Sequence, residues 1–160
     1  MWRETMEKTN VSRGLFEFNN IFKESDNIYR GFARWCGLSE CAFWILYCLR
    51  TEYTEATQSG ICGGLFISKQ TINSALKKLE EQGYIELRHT DGDRRSKEIA
   101  FTKAGLKLCK NTVDRLIEVE NDTLLDLPEN ERETFLKLFR KHTEMLKNNV
   151  KESIYDKKIE

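Results

Sequence analysis

Gln70, Asn73, Ser74 and Lys77 recur at helical spacing, and at about 100° per residue they fall on one side of a helix. Two amides, a hydroxyl and an ammonium are the side chains that hydrogen-bond to base edges and phosphates in a DNA major groove. Ser68, Lys69 and Thr71 extend the same polar set toward the start of that helix. Further along, Arg88, His89, Arg94, Arg95 and Lys97 gather positive charge around Asp91-Gly92-Asp93, a run with turn chemistry. A cationic ribbon there suits a wing that lies along the sugar-phosphate backbone and pushes an arginine into the narrow minor groove.

The elements that must hold these side chains are legible. Ser68 is an N-cap and Ile67 before it pairs with Ile72 as a hydrophobic staple, so a helix starts at Lys69 and stops near Gly83. Ile72, Ala75, Leu76 and Leu79 cluster opposite the polar face, as a core-facing stripe. Tyr84–Arg88 and Glu98–Phe101 alternate apolar and polar residues and predict the two strands of a hairpin with the cationic cluster at its tip.

SKQTINSALKKLEEQGYIE, then Asp93-Arg94-Arg95-Ser96-Lys97, then Phe101-Thr102-Lys103-Ala104-Gly105 resemble, in order and spacing, the winged helix-turn-helix of MarR-type transcriptional regulators. The resemblance extends to the flanking helices, from about residue 12 to about 150. It implies a mainly α fold with a small β-hairpin wing: a winged helix-turn-helix DNA-binding lobe over about 38–102, and a helical dimerisation lobe over about 12–36 and 103–150. It also implies double-stranded DNA as partner. The first, fifth and sixth helices pair into a homodimer in that family, so the same is expected here.

Length and composition agree with one soluble domain: 160 residues, 39% hydrophobic and 32% charged. The longest apolar run, Cys41 to Leu49, is far short of the roughly 20 residues that span a bilayer, and no signal-peptide pattern opens the chain. A cytoplasmic protein without membrane contact is expected. The five cysteines, Cys36, Cys41, Cys48, Cys62 and Cys109, include no CxxC pair, which points away from zinc and from a disulfide framework. Formal net charge is zero, and residues 68–103 hold eight Lys and Arg against six Asp and Glu, so non-specific DNA affinity should be modest.

Before the organising stretch, Leu15, Phe18, Ile21, Phe22, Ile28, Tyr29, Phe32 and Trp35 mark a first helix that Gly37 ends. Ser39 caps a second, apolar almost all round through Cys41 and Phe43 to Leu49, with Leu38 as its staple against Phe43. Thr57 to Phe66 should form the first helix of the helix-turn-helix, with Ile61, Cys62 and Leu65 inward. Gly60 stands there where the family commonly has a capping-box glutamate, and with Gly63 and Gly64 it leaves this segment dependent on tertiary packing. After the wing, Thr102 caps one long helix, stapled by Phe101 and Leu106 and running through Val113 to Leu124. Leu127-Pro128 punctuates it, and a last helix from Glu129 to about Val150 carries Phe135, Leu138, Phe139, His142, Met145 and Leu146 along one stripe.

No catalytic constellation is present: the two histidines, His89 and His142, sit in no metal or nucleophile motif, and the glycines lack the lysine of a phosphate loop. The reading is a non-enzyme without cofactor or metal, a regulator, taken as a repressor, that binds a pseudopalindromic operator. Phe32, Trp35, Phe43, Trp44 and Tyr47 are ordinary core or the lining of a pocket for a small aromatic or lipophilic effector. Two alternatives stay open: a thiol-oxidation sensor of the same fold using Cys36, Cys41 or Cys62, and a winged-helix protein-interaction module that does not bind DNA.

Overall fold

The computed structural model describes residues 11–51, 67–90 and 93–155; within these, the side chains of 89, 90, 93–97 and 155 are not described. Helix α1 spans Arg13–Trp35 and α2 Glu40–Thr51; α3 spans Lys69–Glu81. Strands β1, Ile85–Thr90, and β2, Asp93–Phe101, form the hairpin, and α4, Lys103–Asn111, α5, Val113–Leu125, and α6, Glu129–Val150, follow, with a π turn over Lys151–Tyr155. The expected helix over 57–66, with Gly60, Cys62, Gly63 and Gly64, lies outside the described residues.

Start and stop signals act through identifiable bonds. The hydroxyl of Ser68 accepts the N–H of Thr71 at 3.2 Å, Ser39 accepts that of Ala42 at 3.2 Å, Thr102 that of Gly105 at 3.0 Å, and Ser12 that of Leu15 at 3.2 Å. Each satisfies one of the orphan donors of a first turn, a contribution of about 1 kcal/mol. α1 and α3 both end on a glycine in the left-handed region, Gly37 at φ 70° and Gly83 at φ 73°. At each end the glycine N–H and the next N–H fold back onto the last turn, Gly37 to Arg34 and Leu38 to Ala33, Gly83 to Glu80 and Tyr84 to Leu79. These are paired Schellman closures, which require the positive φ that a side chain resists.

Two compact units divide the chain, residues 1–113 and 114–160. In the first, α2 is the central element: Phe43, Ile45 and Leu46 are fully buried, as are Ile72, Leu76 and Leu79 of α3, Ile85 of β1, and Cys109 and Val113. Burying a side chain of this size contributes about 1.5–3 kcal/mol, so this cluster dominates the unit's stability. α1 meets α2 through Tyr29 against Trp44, ring centroids 5.2 Å apart, and Phe32 against Phe43 at 5.9 Å. In the second unit α6 buries none of its residues.

Two sequence expectations need correction. The helix after the wing is not continuous: at Thr112 the backbone leaves helical geometry, φ −132° and ψ −89°, and α5 starts afresh at Val113. Thr112 is buried, its hydroxyl donates to Leu108 O at 2.7 Å, and its N–H goes to Cys109 O. A β-branched residue that spends its hydroxyl on the preceding turn tightens and ends it. The wing strands are also longer than the alternation predicts, reaching Thr90 and beginning again at Asp93, with a register irregularity between His89 and Thr90. Charged residues in paired backbone hide the alternation that marks strands elsewhere.

Candidate nucleic-acid interface

Helix α3 is divided as its sequence demands. Ile72, Ala75, Leu76 and Leu79 are buried, while Ser68, Lys69, Gln70, Thr71, Asn73, Ser74 and Lys77 are all exposed. Their hydrogen-bonding capacity differs. Ser68 and Thr71 share one hydroxyl–hydroxyl bond of 2.7 Å at the first turn, and Ser74 donates its proton to Gln70 O at 3.0 Å. The oxygen of Ser74 is then left as an acceptor, suited to exocyclic amines of cytosine or adenine, whereas the carboxamides of Gln70 and Asn73 can donate and accept together. Lys77 lies 3.7 Å from Glu81, an exposed pair worth little and easily exchanged for a phosphate.

The wing is anchored by Thr102. Its N–H donates to Tyr84 O at 3.1 Å, and its hydroxyl donates to Gly83 O at 2.6 Å, with Tyr84 O at 3.2 Å sharing the proton. The same oxygen caps α4 through Gly105, so one side chain ties the end of α3, the foot of the hairpin and the start of α4. Gly105 packs so tightly on the Tyr84 carbonyl that no side chain fits there. From this base β1 and β2 pair antiparallel, Ile85 opposite Phe101, Leu87 opposite Ile99, Arg88 opposite Glu98. Ile85 and Ile99 point into the core while Glu86, Arg88 and Glu98 are exposed on the other side.

Arg88 is not an unopposed cation. Its guanidinium donates twice to Glu86, at 2.8 and 3.3 Å, and faces Glu98 across the pair. The hydrogen bond to Glu86, its charge and that of Glu98 raise the guanidinium's pKa further above its ordinary value. Of the other expected wing cations, Arg94, Arg95 and Lys97 lie on β2 and His89 on β1 by backbone; their side chains, and residues Asp91 and Gly92, lie outside the described residues.

The five aromatic residues singled out as core or pocket do come together. Phe43 sits at the centre, 5.9 Å from Phe32, 5.1 Å from Trp44 and 6.0 Å from Tyr47, while Trp35 joins at 5.3 Å from Phe32. Phe43 is fully buried and Trp35 is 63% exposed, so the cluster grades from core to surface. Cys36 is half-buried at the end of α1, and burial pushes its thiol pKa up, partly offset by a hydrogen bond to Thr112. Among the described residues no His, Cys, Asp or Glu cluster could hold a metal, and no helix is long and apolar enough to cross a membrane.

Sequence reasoning missed two contributors. Glu80 of α3 accepts the Leu87 N–H of β1 at 3.1 Å, a link between helix and wing that no periodicity announces. Gly105 had a signal: glycine in the first turn of a helix costs about 1 kcal/mol against alanine, which asks for a compensating close approach.

A capped helix with a polar outer face, leading through a glycine turn into an antiparallel hairpin, is a DNA-binding winged helix. The model of the MarR family matches residues 37–96. The uncharacterized HTH-type transcriptional regulator YwoH of Bacillus subtilis is 32% identical over 104 residues, 65% of this chain and 74% of that protein. The HTH-type transcriptional regulator PecS of Dickeya dadantii is 33% identical over 91 residues, 57% of this chain and 55% of that one. Among solved structures, NMB1585, a MarR family regulator from Neisseria meningitidis, superposes with a TM-score of 0.73 at 20% identity, covering 89% of this chain and 99% of that chain. The S. aureus MepR–DNA complex superposes with a TM-score of 0.65 at 22% identity, covering 86% and 99%. The chain belongs to the MarR family of transcriptional regulators.

Proposed function

We propose that the protein acts in the cytoplasm as a homodimeric repressor on a pseudopalindromic operator, with α3 of each subunit in successive major grooves about 34 Å apart and each wing over a flanking minor groove. The observation that carries the DNA contact is α3 itself: seven exposed polar residues, Ser68 to Lys77, opposite a fully buried stripe, and a hairpin tied to its end. That the S. aureus MepR chain was solved with DNA supports the same use of this fold. Arg94, Arg95, Lys97 and His89 are assigned to the minor groove and backbone, and Arg88 to the wing's root.

Dimerisation is supported by two apolar faces. On α1, Phe16, Ile21, Ile28 and Trp35 are 60–66% exposed. On α6, Phe135, Leu138, Phe139, Met145 and Leu146 are 44–58% exposed. Monomeric soluble proteins rarely leave so much contiguous apolar surface in water, and a second copy covers it symmetrically. The terminal helices form the dimerisation lobe in this reading, and the Phe32–Tyr47 ring cluster receives a small aromatic or lipophilic effector that changes the separation of the two recognition helices. Such coupling is typically about 1–3 kcal/mol, roughly 5- to 150-fold in DNA affinity.

The thiol-sensor alternative is disfavoured at Cys36, whose raised pKa leaves little thiolate at neutral pH. Gel retardation of the protein's own promoter region, followed by footprinting, tests the proposal. An inverted repeat protected in two half-sites one helical turn apart is the expected result, and absence of any retarded promoter fragment at low salt overturns it.

A further inference from the structure

We infer that Glu80 is a positioning residue for DNA binding: its carboxylate sets the angle between α3 and the wing, so that helix and hairpin meet DNA as one body. The inference rests on the reading of α3 and the hairpin as the DNA-contacting pair.

Glu80 stands in the last turn of α3, exposed, and its Oε1 accepts the backbone N–H of Leu87 at 3.1 Å. Pairing in the hairpin explains why that N–H is available. Tyr84 and Thr102 are joined by a backbone bond, and in an antiparallel ladder bonded pairs alternate, so 86 with 100 and 88 with 98 are bonded while Leu87 turns its N–H outward. Among the described residues β1 pairs with β2 alone, and the donors on its other edge are left to water or to a side chain. Glu80 supplies an ionised acceptor, the stronger kind of partner.

The geometry has a mechanical consequence. Thr102 fixes the foot of the hairpin to Gly83 and Tyr84, beside Ile85 in the core. A second attachment farther along β1 converts position into angle. Neighbouring Glu81 lies toward Lys77 instead, so Glu80 is the carboxylate of this turn that reaches the wing. An anion beside a phosphate-binding surface weakens DNA binding by charge alone, so its worth must lie in the bond it makes.

That opposition of charge and bond gives the test. Glu80→Gln removes the charge and keeps an oxygen acceptor; Glu80→Ala removes both. If charge is all that matters, both variants bind operator more tightly, and equally. The brace predicts that Glu80→Gln binds at least as well as the unmodified protein, while Glu80→Ala binds about tenfold more weakly, the effect of one lost charge-assisted bond. Hydroxyl-radical footprints of Glu80→Ala should keep the central major-groove protection and lose the flanking minor-groove protection. Amide exchange at Leu87 in the DNA-free protein should accelerate in Glu80→Ala and not in Glu80→Gln, with melting temperatures confirming that both fold. Equal affinities of the two variants, or Leu87 exchange unchanged by Glu80→Ala, overturns the brace alone. Unmodified protein that binds no DNA overturns the underlying reading and the brace with it.

Discussion

Gly105 and the carbonyl of Tyr84 are packed so closely that a Cβ at position 105 would lie 1.9 Å from the oxygen, 2.8 Å from its carbon and 3.2 Å from Cδ1 of Phe101. Backbone lies on the other side of that contact, so nothing can swing aside. Helix propensity alone would make Gly105→Ala stabilising by about 1 kcal/mol. The close approach reverses the sign: the variant should lose about 3 kcal/mol through forced displacement of the hairpin's foot, read as a lower denaturant midpoint. An unchanged or raised midpoint would show that the hairpin is free to move.

Thr102 concentrates three roles in one hydroxyl and one N–H. Thr102→Val keeps the shape and the N–H but loses the cap on Gly105 and the donation to Gly83, and should cost about 1–2 kcal/mol in equilibrium unfolding. Thr102→Ser, which keeps the hydroxyl, should recover most of it.

Arg88 is held by Glu86 and faced by Glu98, so it adds little to the charge seen by phosphates. Glu86→Gln should release it. The expected outcome is tighter binding at low salt and a log-affinity against log-salt slope steeper by about one unit, measured by fluorescence anisotropy. A slope identical to that of the unmodified protein would place Arg88 out of reach of the backbone.

Side chains that read bases and side chains that hold phosphates should separate in mutant behaviour. Asn73→Ala should relax preference at one operator position at a cost of about 1–3 kcal/mol, whereas Arg95→Ala should weaken all sequences alike and flatten the salt slope. Operator binding by both variants at the unmodified level would remove these residues from the interface.

The apolar face of α6 gives a solution prediction. A charge placed on it, as in Leu138→Asp, should shift the sedimenting species from twice the chain mass to the chain mass at micromolar concentration, because a buried unpaired carboxylate costs several kcal/mol. A monomer already in the unmodified protein would refute the dimer.

What could be read from the chain follows how local its causes are. Ser39, Ser68 and Thr102 act within one helical turn, and the buried and exposed faces of α3 follow from a period, so each is visible in the residues themselves. The break at Thr112 is different. The apolar pattern from Leu106 to Leu124 runs through it unbroken, and only the burial of Thr112 and the bond of its hydroxyl to Leu108 turn one expected helix into α4 and α5. The role of Glu80 leaves no local signal, since its partner is a backbone N–H seven residues on that becomes available only once β1 has paired. The resemblance named the wing, but the pairing of Arg88 with Glu86 arises only in the folded hairpin.

The outward face of the hairpin root, Glu86, Arg88 and Glu98, bears on how the protein finds its target within a chromosome. Random sites outnumber an operator by a factor of about a million or more, and their hold on a regulator grows with each phosphate neutralised. A wing root that cancels its own cation shortens each stay on the wrong sequence. On the operator-binding reading proposed above, search then proceeds by brief landings and three-dimensional hops, with fewer copies sequestered along the genome at any moment.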